Sequence, residues 1–245
     1  MATPRATVSG LNKGPSVQDR EAIISTPDHQ SDSIEWVRRW RFESWRILAA
    51  LIVTVVATIL AVEPLPKWEV AFFRAVNDLP RQAEWPMWVM QQAGMLFALP
   101  AGAIILWFIV KHWRPPLALV VGGIVFGWTA ARIIKAYVDR GRPGALLDSV
   151  SFGWRTPIDT FGYPSGHAVV ALTLAVVLSP YMPRWLRWSL YALAAVVGFS
   201  RMYMGAHLPL DVVGGAAFGV LIGSAVNLMS GLRHDRAQPE AIQLR

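Results

Sequence analysis

Three short stretches of this chain combine cations, histidines and a carboxylate in spacings that suit phosphoryl transfer. They are Lys135-Ala136-Tyr137-Val138-Asp139-Arg140-Gly141-Arg142-Pro143, then Pro164-Ser165-Gly166-His167, then Ser200-Arg201 followed by His207 and Asp211. Lys135, Arg142 and Arg201 supply fixed positive charge, and the arginine fork matches phosphate oxygens in pairs. Ser165 and Gly166 open a helix after Pro164, where unpaired N–H groups bind anions and Gly166 admits a ligand close to the backbone. Pro209 opens another helix just after His207, so two helix N-termini and three cations are expected to converge on one multiply charged oxyanion. His207 and Asp211 stand four residues apart. A carboxylate there can hydrogen-bond one imidazole nitrogen, fix its tautomer and stabilise the charged ring. The other nitrogen can attack phosphorus, while His167 protonates the leaving oxygen and later activates water. The cations would stabilise charge on the equatorial oxygens.

The elements that must position these groups are membrane helices. The 245-residue chain is 54% hydrophobic and only 16% charged, with mean hydropathy +0.38, whereas soluble domains are about 25% charged. A span needs about 20 apolar residues. Apolar runs near 45–62, 94–110, 117–138, 165–178, 188–201 and 209–229 predict six spans. The expected fold is all-α and polytopic: a polar, disordered cytoplasmic tail over 1–43, a six-span domain over 44–229 and a cytoplasmic tail over 230–245. Ile34 to Phe42, where basic and aromatic residues alternate, reads as the positive flank of the first span. Glu69 to Val76 predicts an amphipathic interfacial helix. The twelve Trp fit a lipid–water interface.

Most of the 23 Lys and Arg fall in the tails and in the short turns after spans two and four. The positive-inside rule makes those regions, and both termini, cytoplasmic. All three motif blocks then meet at the extracytoplasmic ends of spans three to six. Ionisable residues at the rim of a span are functional candidates by default.

Other chemistries fit less well. The chain has no cysteine, which excludes disulfides, thiolate nucleophiles and Cys-based metal sites. The net charge of +7 has a topological origin, so no nucleic-acid partner is expected. His167, His207 and Asp211 are possible zinc ligands, but Lys135, Arg142 and Arg201 would repel a cation, so neither metal nor cofactor is expected. Arg132 and Arg140 read as interfacial anchors. Asp139 reads as a loop partner for Arg140 or Arg142, and Ser200 as a backbone hydrogen-bonder.

With these residues in view, the chain resembles the type 2 phosphatidic acid phosphatase family, relatives of the vanadium haloperoxidases. The family pattern is Lys-x6-Arg-Pro, Pro-Ser-Gly-His and Ser-Arg-x5-His-x3-Asp, and every fixed position is matched in order between Lys135 and Asp211. The resemblance implies a helical, metal-independent phosphatase of lipid phosphates embedded in membrane lipid. It implies His207 as nucleophile, His167 as general acid and base, and Asp211 as the partner of His207. Lys135, Arg142, Ser165, Gly166 and Arg201 would be phosphate ligands. A polyprenyl carrier pyrophosphate such as undecaprenyl pyrophosphate is the favoured substrate, with phosphatidate or phosphatidylglycerophosphate as the alternative. A phosphotransferase using the same site, or a non-enzymatic anion or lipid binder, is the competing class.

Overall fold

A computed structural model describes residues 28–62, 64–157 and 161–230, with side chains from residue 40 onward. The chain divides into two units, Met1–Arg41 and Phe42–Arg245. Of the first, the described part is the opening of α1 (Asp28–Val62), which begins inside the segment read as a polar tail. The rest of that tail, and residues 231–245, lie outside the described residues. All that follows concerns the second unit.

The described residues are helical or irregular, with no strand among them. After α1 come α2 (Lys67–Asn77), α3 (Glu84–Gln91) and α4 (Ala98–Val110). Next are α5 (Arg114–Val121), α6 (Thr129–Val138) and the single turn α7 (Pro143–Leu146). The last three are α8 (Gly166–Leu178), α9 (Arg184–Tyr203) and α10 (Pro209–Met229). Between α5 and α6 the helix runs on through Gly122–Trp128 in π winding, and Thr129 Oγ1 donates to the Ile124 carbonyl at 3.2 Å across that widened turn.

The chain is a membrane protein. Trp40–Val62, Arg114–Leu146 and Pro209–Met229 are each long and apolar enough to cross a bilayer among the described residues. A fourth span is possible if Arg81–Gly94 and Ala98–Val110, bent by 64°, count together. Helices occupy all six expected positions, but the other two fall short. The α8 helix has 13 residues, about 20 Å at 1.5 Å per residue, against a hydrocarbon core of about 30 Å. Proline bounds it on both sides, at Pro164 and at Pro180, whose missing N–H stops α-helical propagation. The α9 helix begins with Arg184, Trp185, Arg187 and Trp188, which shortens its apolar run.

The short α8 is the axis of the molecule. Most of its side chains are buried, and it packs backbone to backbone on α10. A Cβ at Gly215 would stand 2.5 Å from the Ser165 carbonyl, and one at Gly219 2.5 Å from that of Val169. Small residues at these points let the two helices approach as membrane helices do. Leu99 and Leu106 of α4, Leu119 of α5, Ala131 of α6, Val169 and Val170 of α8, and Ile222 and Val226 of α10 form the main core. Outward faces stay apolar, as with Ile104, Ile105 and Phe108 of α4. The α1 helix presents the buried stripe Ala50, Thr54, Ala57 and Ala61. It is tied in by Tyr163, whose hydroxyl lies 2.7 Å from Thr58 Oγ1 and donates to the Thr54 carbonyl at 3.2 Å.

The expected interfacial helix is α2. Its buried face is Glu69, Phe73, Val76 and Asn77, with Trp68 and Phe72 exposed on the other side. It secures the long loop that leads to Ser165. Arg74 donates to the Asp148 and Ser149 carbonyls, and Asn77 exchanges two hydrogen bonds with Ser151, each 2.9 Å.

Candidate active site

The site lies where the N-terminus of α8, the end of α9 and the start of α10 meet the loop after α6. The α9–α10 connection turns at Gly205, whose positive φ of 73° suits glycine. The turn closes with His207 N–H donating to the Arg201 carbonyl at 3.2 Å. His207 is thereby held inward, 2% exposed. Its Nδ1 faces Asp211 Oδ2 at 3.3 Å, and Leu208 N–H donates to the same oxygen at 2.9 Å. The four-residue spacing therefore closes as expected, across the N-terminus of α10.

The cations gather around this ring. Lys135, in the last turn of α6, donates to the Phe161 and Gly162 carbonyls at 3.1 and 2.9 Å. Arg142 donates to the Ala206 carbonyl at 2.9 Å. Arg201 donates to Gln91 Oε1 from α3. His167, half-buried in the first turn of α8, lies within reach of the charges of Lys135, Arg142 and Arg201. Ser165 N–H donates to the Asp211 carbonyl at 2.9 Å, which joins the α8 and α10 N-termini directly. Ser165 Oγ and Arg201 Nε are buried with no hydrogen-bond partner among the described residues. Buried donors left unmade cost about 1–3 kcal/mol each, so these two are poised for a ligand. All eight candidate residues of the three blocks are thus brought to one place.

Burial holds the His207 ring well below the usual imidazole pKa, and Lys135, Arg142 and Arg201 push the same way, against the Gly162 carbonyl's hydrogen bond. The ring is neutral at pH 7, the form that carries a nucleophilic lone pair. The unfolded chain takes a proton near pH 6.5 and the folded one does not, so stability contributed by this group is lost as pH falls below about 6.5. In 15N-histidine spectra, with His207 assigned through His207→Gln, its titration midpoint is expected well below 6.5. A midpoint at or above 6.5 contradicts the arrangement.

Two sequence readings need correction. Arg140 is not an interfacial anchor, nor is it paired with Asp139. It is 6% exposed and donates to Asp211 Oδ1 at 2.9 Å and to both oxygens of Glu69, at 3.2 and 2.5 Å. A desolvated guanidinium needs such compensation, and two buried carboxylates supply it. The α10 N-terminus does not face the anion site with free amides either. Leu208 N–H goes to Asp211 and Leu210 N–H to Glu69 Oε1 at 2.8 Å, so the helix dipole stabilises protein carboxylates. Arg132 is exposed, and Ser200 Oγ donates to the Val197 carbonyl at 2.7 Å, as expected of a backbone hydrogen-bonder.

Sequence reasoning missed Glu69 and Gln91. Glu69 left a signal, since 69, 73 and 76 share one helical face with Phe73 and Val76, where a carboxylate needs a partner. Gln91 left none, because its contact with Arg201 spans more than a hundred residues.

A cavity of about 750 Å³ adjoins the cations. Lys135, Arg142 and Gly166 line its polar side, and Trp128, Ala131, Ala136, Ala145 and Phe161 supply apolar wall, with Arg132 beside them. Among the described residues, no three His, Cys, Asp or Glu side chains gather as metal ligands.

The model of the PAP2 superfamily matches residues 111–235. An undecaprenyl-diphosphatase of Sulfolobus acidocaldarius is 33% identical over 133 residues, covering 54% of this chain and 61% of the relative. Phosphatidylglycerophosphatase B of Bacillus subtilis is 30% identical over 139 residues, covering 51% and 64%. The chain thus spans somewhat less than two thirds of these relatives. Among solved structures, Aquifex aeolicus LpxE superposes with a TM-score of 0.59 at 25% identity, covering 65% of this chain and 94% of the other.

Proposed function

We propose, from the premise that the chain belongs to the PAP2 superfamily, that it is a membrane phosphatase hydrolysing the phosphomonoester or pyrophosphate of a lipid. The observation that carries this reading is the pair of buried, unpartnered donors, Ser165 Oγ and Arg201 Nε, beside a neutral His207 backed by Asp211.

In the proposed reaction the phosphoryl group sits against Ser165, the α8 amides, Lys135, Arg142 and Arg201. With Nδ1–H donated to Asp211, the Nε2 lone pair of His207 attacks phosphorus. An N–P bond forms and the P–O bond to the leaving group breaks, with His167 giving its proton to the departing oxygen. His167 then takes a proton from water, whose oxygen attacks phosphorus and breaks the N–P bond, releasing phosphate and restoring both histidines. The fixed cations stabilise the equatorial oxygens at both stages.

Undecaprenyl pyrophosphate is the proposed substrate, supported by the relative of that activity and by an apolar cavity able to take the first part of a prenyl chain beside the cations. A glycerolipid phosphate is the alternative, supported by the phosphatidylglycerophosphatase relative. The proposal includes six spans, an extracytoplasmic site and cytoplasmic termini, supported by the distribution of Lys and Arg.

The test is phosphate release from undecaprenyl pyrophosphate and from phosphatidate, side by side, with detergent-purified protein in EDTA. Three cations around the site disfavour a bound metal ion, so release is expected to resist the chelator, with the pyrophosphate turned over faster. Activity abolished by EDTA and restored by a divalent metal would contradict the mechanism. Dephosphorylation of the lipid only when an alcohol acceptor is added, with a phosphorylated acceptor formed in place of free phosphate, would assign a transferase.

A further inference from the structure

Glu69 belongs to none of the three motif blocks, yet it is fully buried and bound to the machinery around His207. We propose that Glu69 is a positioning residue for the reaction: it holds Arg140, and through Arg140 it sets both the orientation and the effective charge of Asp211. The inference rests on the proposed roles of His207 and Asp211.

Both Asp211 oxygens are engaged. Oδ2 accepts from His207 Nδ1 and from Leu208 N–H, and Oδ1 accepts from Arg140 Nη1. An arginine alone on that carboxylate would neutralise it. The pair could then orient His207 but do little to stabilise the positive charge that the ring gains on phosphorylation. Glu69 offsets this. Its two oxygens take both Arg140 terminal nitrogens, so the Glu69–Arg140–Asp211 group keeps one net negative charge. Burial of all three leaves that charge weakly screened. Glu69 Oε1 also accepts Leu210 N–H, which fixes the backbone one residue before Asp211. One side chain of α2 therefore secures the partner of His207 by two routes.

A purely structural ion pair would show the same contacts, so the test must read coupling. Initial rates are measured with undecaprenyl pyrophosphate for wild type, Glu69→Gln, Asp211→Asn and the double variant, each checked for a cooperative thermal transition. Glu69→Gln keeps the shape and removes the charge. Its kcat is expected to fall about 10- to 100-fold with KM within about threefold, and Glu69→Asp, which keeps the charge, should recover part of the loss. In the Asp211→Asn background, Glu69→Gln should cost no more than about threefold, because the charge it supports is already gone. Equal losses in both backgrounds, or a loss confined to KM, would overturn the inference. If Glu69→Gln yields no folded protein, Glu69→Asp enters the same cycle, and a background-independent loss there overturns it equally. The two levels separate cleanly. Asp211→Asn with wild-type turnover sinks the His207–Asp211 reading itself, whereas Asp211→Asn impaired and Glu69 uncoupled from it sinks only this proposal.

Discussion

His207→Ala is expected to remove phosphate release almost completely, by a factor on the order of 10⁴ or more, because it deletes the imidazole that Asp211 orients for attack. The variant should still fold. Deleting the imidazole leaves Asp211 with its bonds to Arg140 and Leu208 N–H, so no buried charge is stranded. The opening is small, and the ring it replaces is held neutral. A thermal transition close to that of wild type, together with lost turnover, is therefore the expected combination. Asp211→Asn should behave differently. It keeps the ring in place while weakening the field that stabilises it, and it leaves Arg140 paired with Glu69 alone. A smaller loss, on the order of 10²- to 10³-fold, is expected, accompanied by lower stability. Phosphate release assays and thermal denaturation on both variants check this. Turnover in His207→Ala comparable to wild type would show that the covalent route is not used.

The difference between these two positions also marks what can be read from sequence. His167, His207 and Asp211 stood out because charged and titratable residues at the ends of apolar runs are rare in lipid without a purpose. Their spacing was local, four residues for His207 and Asp211, so one helical turn was enough to anticipate the contact. The second layer was not local. Glu69, on α2, reaches Asp211, on α10, through Arg140 in the loop after α6 and through Leu210 N–H, contacts that span more than seventy residues of sequence. Arg140, two residues before Arg142 in the same loop, points to protein carboxylates instead of interfacial water. No periodicity distinguishes these two directions. The same limit applied to the α10 N-terminus, whose sequence suits an anion but whose amides are taken by Asp211 and Glu69. Span length shows a further limit. Hydrophobicity located α8 correctly, but most of its 13 residues are buried against other helices, so its apolar run reflects packing within the protein as much as contact with lipid.

His167→Ala tests the division of labour between the two histidines, because its effect should depend on the leaving group. His167 sits in the first turn of α8, close to His207 and within reach of the charges of Arg142 and Arg201. With phosphatidate the departing oxygen is an alkoxide, a poor leaving group that needs a proton as the P–O bond breaks. Loss of the acid should then cost about 10²- to 10⁴-fold, the usual range for general acid catalysis. An aryl phosphate with an acidic phenol leaves without that proton, so attack by His207 proceeds almost unaided. Removal of phosphate from His207 still needs a base to activate water, and His167 is absent for that step too. Aryl phosphate should therefore give a burst of phenol, about one equivalent per site, followed by slow turnover and accumulation of acid-labile phosphate on the protein. The wild type should show neither burst nor accumulation if its second step is fast. His207→Ala should show no phenol burst with the same substrate. If His167→Ala slows both substrates equally and traps no phosphoprotein, His167 binds phosphate without moving a proton, and the acid must be sought among the other groups facing the cavity.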